Sequence, residues 1–271
     1  MTLPFRKMHG LGNDFVVIDG RVRPVQLSRS QLERLADRRF GIGCDQIIVI
    51  EPPRHSKADA FMAIYNPDGS EAGACGNATR CVAATLMRES GKSAAVIETI
   101  SGILPALAAG NAVGVNMGKP RVKWSEIPLV DEQDTLHLPL ELGPLVDPVA
   151  VNMGNPHCVF FVEDTASIDL IHLGPRLEHH PLFPERTNVE IVQVIDRHTL
   201  RMRVWERGAG ITLACGSGAC AALVAAARRG LSARNATVQL EGGSLQIEWK
   251  ADDSVWMTGA WVETFRGEWV G

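Results

Sequence analysis

The sequence predicts an α/β (α+β) fold of two similar halves, each a mixed, curled sheet or barrel around a central buried helix. Three observations predict it. A short phrase occurs twice, as YNPDGSEAGACGN at residues 65–77 and as WERGAGITLACGS at 205–217, each running from an aromatic residue to an Ala-Cys-Gly-polar end. Further matches flank that phrase at a nearly constant offset. The segment after each cysteine is also apolar on almost every side.

The elements follow in order. Gly12-Asn13 opens the apolar strand FVVID, and Gly154-Asn155 opens CVFFVED, 142 residues later. SRSQLERLADRRF, with a Ser cap and a charged face, predicts an external helix. Gln46 begins QIIVIE and Asn188 begins NVEIVQVI, again 142 apart. Cys75 pairs with Cys215 at 140, and Gly91 with Gly230 at 139. The intervening CGNATRCVAATLMRESG and CGSGACAALVAAARRG predict helices that are buried because they are apolar on most faces. Each ends at a glycine suited to close a helix. Short strands follow around Gly102 and around Gly242-Gly243, and TLRMRVWE alternates with period two. The halves close on VGVNMG at 113–118 and SVWMTG at 254–259. A slowly drifting offset is what duplication with small insertions leaves, and the period is too long for a solenoid. We therefore expect two domains related by a pseudo-twofold axis: 1–118 carrying Cys75, and 119–271 carrying Cys215, with the last residues able to return to the first half.

Composition bounds the function. With 271 residues, 45% hydrophobic and 21% charged, the chain is a soluble globular type with ample core. A net charge of −4 leaves no basic footprint, so no nucleic-acid partner is expected. No run of eighteen apolar residues offers a membrane span. MTLPFRKMHG lacks the apolar core of a secretory signal, so the expectation is a cytoplasmic protein with six reduced cysteines. The near pairs Cys75/Cys81 and Cys215/Cys220 have spacings C-x5-C and C-x4-C, unlike the C-x2-C of common zinc sites. No metal is therefore expected, and neither a P-loop nor a dinucleotide fingerprint occurs.

Cys75 and Cys215 fall at the first turn of the buried helices. Helix N-termini carry amide donors and positive partial charge, which lower a thiol's pKa and can hold a carboxylate. Gly76-Asn77 and Gly216-Ser217 would thus place anion-binding backbone beside a reactive sulfur, twice. Cys81, Cys220 and Cys158 are expected to be packing residues, and Cys44 is assigned no chemistry. Opposed thiols from two similar halves could take a proton from one face of a carbon and return one to the other, inverting it. Asn13, Gln46, Asn66, Asn155, Asn188, Glu206 and Arg207 sit at matching strand ends and would line a polar zwitterionic ligand. Arg207 suits a carboxylate and Glu206 an ammonium. His157 is either a satisfied turn histidine or a residue tuning a thiol.

KMHGLGNDFVVID, GIGCDQ, NPDGSEAGACGNATRC, NPHCVFFVED, FPERTNVE and ERGAGITLACGSGAC together closely resemble the diaminopimelate epimerase family over the whole chain. The resemblance implies a cofactor-independent epimerase without pyridoxal phosphate or metal, converting LL- to meso-2,6-diaminopimelate in lysine and peptidoglycan-precursor synthesis. It implies Cys75 as the thiolate base for the LL substrate and Cys215 as the thiol donor. Gly76, Asn77, Gly216 and Ser217 would hold the reactive carboxylate. Asn66, Asn155, Asn188, Glu206 and Arg207 would hold the distal end, Asn13 and Gln46 would complete the site, and His157 and Glu206 would tune the thiols. It also implies a homodimer, with Phe265 standing where the family has a tyrosine at the contact. Ala78 and Ile211 depart from the family's usual wording at positions that are not ligands. Three other readings remain open on the residues alone: a proline-type racemase, a thiol redox enzyme, and a non-catalytic amino-acid-binding protein.

Overall fold

The computed structural model describes residues 2–271. The chain divides into two compact units, one of residues up to Asn116 together with Thr258–Gly271, the other Met117–Met257. Unit one contains β1 (Leu3–Gly10), β2 (Asn13–Asp19), α1 (Arg29–Ala36), β3 (Gln46–Glu51), β4 (Ala60–Tyr65), α2 (Gly76–Ser90), β5 (Ala94–Thr99), β6 (Gly102–Ala109) and β7 (Ala112–Asn116). Unit two contains β8 (Glu141–Leu142), β9 (Leu145–Val146), β10 (Val149–Asn152), β11 (Pro156–Phe161), α3 (Leu170–Glu178), β12 (Asn188–Asp196), β13 (Thr199–Glu206), β14 (Gly210–Ile211), α4 (Gly216–Arg228), β15 (Asn235–Leu240) and β16 (Gly243–Trp249). β17 (Val255–Ala260) runs across the boundary, and β18 (Val262–Trp269) belongs to unit one.

The two units repeat one sheet plan. In unit one the strands lie in the order β18-β1-β2-β3-β4-β5-β6-β7; in unit two the order is β10-β11-β12-β13-β15-β16-β17, with β14 beside β13. β2/β3 and β4/β5 are parallel, with the antiparallel pair β3/β4 between them. Unit two repeats this as β11/β12, β12/β13 and β13/β15. Even the register is shared: Phe15 faces Gln46, and His157 faces Asn188, each displaced by 142. Ile47 faces Tyr65 and Val189 faces Trp205, so the aromatic residue that opens the repeated phrase has the same cross-strand seat in both units.

One helix in each unit carries the core. α2 is buried from Gly76 through Met87, and α4 from Gly218 through Ala226, as their all-round apolar composition requires. α2 ends on Gly91 at φ 70°, and α4 is followed by Gly230 at φ 70°, a left-handed conformation that glycine adopts without steric cost. α1 begins at Ser28, whose side chain and that of Gln31 form a reciprocal capping box. α3 was not expected from sequence, because its interior Gly174-Pro175 has the composition of a turn. Packing explains it: a Cβ at position 174 would lie 2.4 Å from the Trp205 ring, so only glycine lets α3 seat on that indole. Trp205 then donates from Nε1 to Glu178 at 2.7 Å.

Candidate active site

In unit one the site is assembled where β2 and β3 start and β4 ends, beside the first turn of α2. Cys75 is the N-cap of α2, and its Sγ accepts from the Ala78 N–H at 3.5 Å. The sulfur is half-buried and lies 3.8 Å from Asn13 Oδ1. Asn77 Nδ2 donates to the same oxygen at 3.1 Å, and Asn13 Nδ2 donates to Asp45 at 2.9 Å. Gln46 Nε2 donates to Asn66 Oδ1 at 3.1 Å, and Asn66 donates in turn to Ser70. Gly10 faces this turn closely, since a Cβ there would approach the Arg80 guanidinium and the Asn77 carbonyl. Behind the carboxamides lies a charged brace in which Lys7 and Arg38 bind Asp14, and Arg38 also binds Asp45. Burial alone would raise Asp14; the Arg38 and Lys7 contacts outweigh it and hold that carboxyl far below the usual range.

Unit two repeats the backbone plan with different company for the sulfur. Cys215 is the N-cap of α4, accepts from the Gly218 N–H at 3.3 Å, and is only 3% exposed. Ser217 Oγ lies 3.6 Å from Sγ. The thiol also lies against the Glu206 carboxylate, which accepts a short hydrogen bond from Thr212. Burial first, then the Glu206 and Glu190 carboxylates, push the Cys215 thiol well above its ordinary range. This reverses the sequence expectation of a lowered thiol at this helix end: desolvation and two acidic neighbours outweigh the amides. Burial likewise raises Glu206, against the opposing bonds from Thr212 and Cys215.

The remaining residues of unit two form a connected brace and a cleft. His157 is fully buried, with Nδ1 2.6 Å from Glu190 Oε1 and Nε2 2.9 Å from Asn155 Oδ1. Asn188 is 2% exposed and ties two turns together, donating to the Pro156 carbonyl and accepting from the Arg207 N–H. The Arg207 guanidinium donates to the Glu185 carbonyl at 2.9 Å. Arg121, Glu126, Asn152, Asn155, Glu185 and Arg207 line an open cleft of about 450 Å³. Its polar walls, with both signs of charge, suit a zwitterion.

The model of the family described as "Diaminopimelate epimerase" matches residues 5–123 and 149–263. A diaminopimelate epimerase from Rhodospirillum centenum is 56% identical over 269 residues, covering 99% of this chain and 92% of that protein. One from Acidiphilium cryptum is 53% identical, covering 98% and 95%. The chain belongs to the diaminopimelate epimerase family. It is accordingly an isomerase of the amino-acid epimerase class. Two solved structures are similar in fold. A phenazine biosynthesis protein of the PhzF family from Enterococcus faecalis has TM-score 0.72 at 14% identity, covering 100% of both chains. A hydroxyproline epimerase from Agrobacterium vitis has TM-score 0.70 at 15% identity, covering 98% of this chain and 92% of that one.

Within this diaminopimelate epimerase family member, sequence reasoning passed over three polar residues that the structure places at the site. Glu190 is fully buried beside His157; Thr212 bonds Glu206; Arg80, fully buried in α2, donates to the Ala260 carbonyl at 3.3 Å. Two of them left a signal. Glu190 is the one charge in the apolar run VEIVQVI before Asp196, and Arg80 is the one charge in the stretch of α2 from Gly76 to Met87.

Proposed function

We propose that Cys75 and Cys215 are the two acid–base groups with which this chain carries out its family's reaction, the interconversion of LL- and meso-2,6-diaminopimelate. For the LL substrate the Cys75 thiolate takes the α-proton. The electron pair left on carbon is delocalised into the adjacent carboxylate, which the amides of Gly76, Asn77, Gly216 and Ser217 stabilise as its charge grows. The Cys215 thiol then protonates the opposite face. Cys75 finishes as thiol and Cys215 as thiolate, so the meso substrate starts from the complementary state. No group beyond the chain's own residues enters these steps.

The observation that carries this reading is the doubled N-cap: two equivalent buried helices, each with a cysteine sulfur accepting its own first-turn amide. Glu206 and His157 tune the thiols, Glu206 through its place against Cys215. Asn66, Asn155, Asn188, Glu206 and Arg207 recognise the distal amino-acid end, with Arg207 and Asn155 on the polar cleft, and Asn13 and Gln46 complete the site. The enzyme acts in lysine and peptidoglycan-precursor synthesis and, with six free cysteines, in the cytoplasm; no helix among the described residues is long and apolar enough to cross a membrane. A homodimer forms over β18, where Val262 and Phe265 are exposed and Phe265 stands edge-on to Phe5 with ring centroids 6.0 Å apart.

Proton NMR of LL-diaminopimelate with the reduced protein in heavy water tests the reaction. The expected result is loss of the α-proton signal together with appearance of the meso isomer. An unchanged LL spectrum beside turnover of proline-type substrates would overturn the substrate assignment.

A further inference from the structure

Glu190 transfers no proton in the reaction derived above and acts on the Cys215 thiol only as a charge behind Glu206, yet it is fully buried in the second half-site. It lies on β12 between Val189 and Ile191, which pack into the hydrophobic core of unit two on the other side of the strand. Its side chain is fully buried. One oxygen meets His157 Nδ1 at 2.6 Å, while Oε2 has no hydrogen-bond partner among the described residues. Keeping an acid with an orphaned oxygen in the interior is unfavourable, so its retention calls for a functional reason. The α4 turn is also built around it: a Cβ at Gly218 would lie 2.8 Å from Glu190 Oε1. The ionisable groups around the pair are His157 and Cys158 on β11, Glu206 on β13, and Cys215 at the head of α4.

A line of contacts leads from this buried acid to the ligand cleft. His157 sits between Glu190 and Asn155, and Asn155 lines the cleft with Arg207. An imidazole whose Nδ1 donates to a carboxylate is held in orientation, and its Nε2 meets the Asn155 carboxamide, accepting from the NH2 end when bare and donating to the oxygen when protonated. The geometry points to Glu190 as a positioning residue: it holds the Nδ1 proton of His157, and the fixed ring orients the Asn155 carboxamide toward the ligand. This inference rests on the reading of Asn155 as a substrate contact. The consequence falls on binding more than on chemistry.

The test has one arm without substrate and one with it. In the first, the protein carrying 15N-histidine is examined by NMR, with His157 assigned by its loss in His157→Gln. A protonated Nδ1 is expected in the parent protein, and a changed protonation pattern in Glu190→Gln, whose carboxamide can donate as well as accept. An unprotonated Nδ1 in the parent protein overturns the proposal whether or not any variant folds. In the second arm, Glu190→Gln should raise KM for diaminopimelate about tenfold, the loss of one charge-assisted bond, with kcat within about threefold. Added to Asn155→Ala, the same change should raise KM no further. A fall in kcat at unchanged KM would overturn the proposal and move Glu190 into the proton chemistry. Should the protein fail to turn over diaminopimelate at all, the proposed reaction falls, and the NMR arm still decides the role of Glu190.

Discussion

The two half-sites share a backbone and differ in what surrounds the sulfur. Cys75 is half-buried, with the carboxamides of Asn13 and Asn77 nearby. Cys215 is 3% exposed and faces Glu206, with Glu190 behind the same helix turn. The helix end favours a thiolate in both places, but at Cys215 desolvation and acidic neighbours reverse the outcome. Duplication supplies two equivalent thiols, and a few side chains then give them unequal surroundings. That inequality suits the two successive proton transfers, because a base and an acid must both be ready when substrate arrives.

The comparison breaks most sharply if either thiol proves dispensable. Cys75→Ala and Cys215→Ala should each lower epimerisation by about 10³-fold, followed as meso product formed from LL substrate. Full activity in either variant would show that the two halves do not share the proton transfer. A smaller effect sharpens it. Glu206→Gln removes a negative charge next to Cys215, so the thiol should ionise at lower pH than in the parent protein. The high-pH limb of the LL reaction should then move downward, with kcat at neutral pH reduced about tenfold. An unmoved limb in the pH–rate profile would mean that burial alone sets this thiol.

The smallest expected effect concerns stability. Burial pushes Cys81 up to about 12 and Cys44 up to about 11. The unfolded chain, with thiols near 9, gives up these protons before the folded chain does. Stability is therefore fully present below pH 9 and falls as pH rises through 9 to about 11 or 12. Melting temperatures across this range should decline, and Cys44→Ala should flatten the decline. An identical slope in that variant would remove Cys44 from the account.

The repeat was visible in the sequence because register is conserved with it: an offset of 142 between Gln46 and Asn188 corresponds to identical pairing with Phe15 and His157. The central helices were visible for the same reason that they are buried, since they have no polar face. Other features depend on depth, which a linear pattern does not carry. The helix-end argument placed both thiols on the same footing, and only the packing of Glu206 and Glu190 around Cys215 separates them. Glu190 was overlooked because strand alternation treats a single acid in VEIVQVI as an outward residue, whereas β12 turns it onto the buried imidazole. Asn188 matches a ligand-lining pattern, and the pattern does not carry its second role, bracing the Pro156 and Arg207 turns through both ends of its side chain. α3 was hidden by Gly174-Pro175, whose purpose is visible only against the Trp205 ring.

The most direct test of unequal thiols is site-resolved alkylation with iodoacetamide across pH, read by peptide mass spectrometry on the folded, reduced protein. The account predicts that Cys75 is labelled before Cys215, which reacts appreciably only well above pH 9. Equal labelling curves, or Cys215 reacting before Cys75, would contradict it.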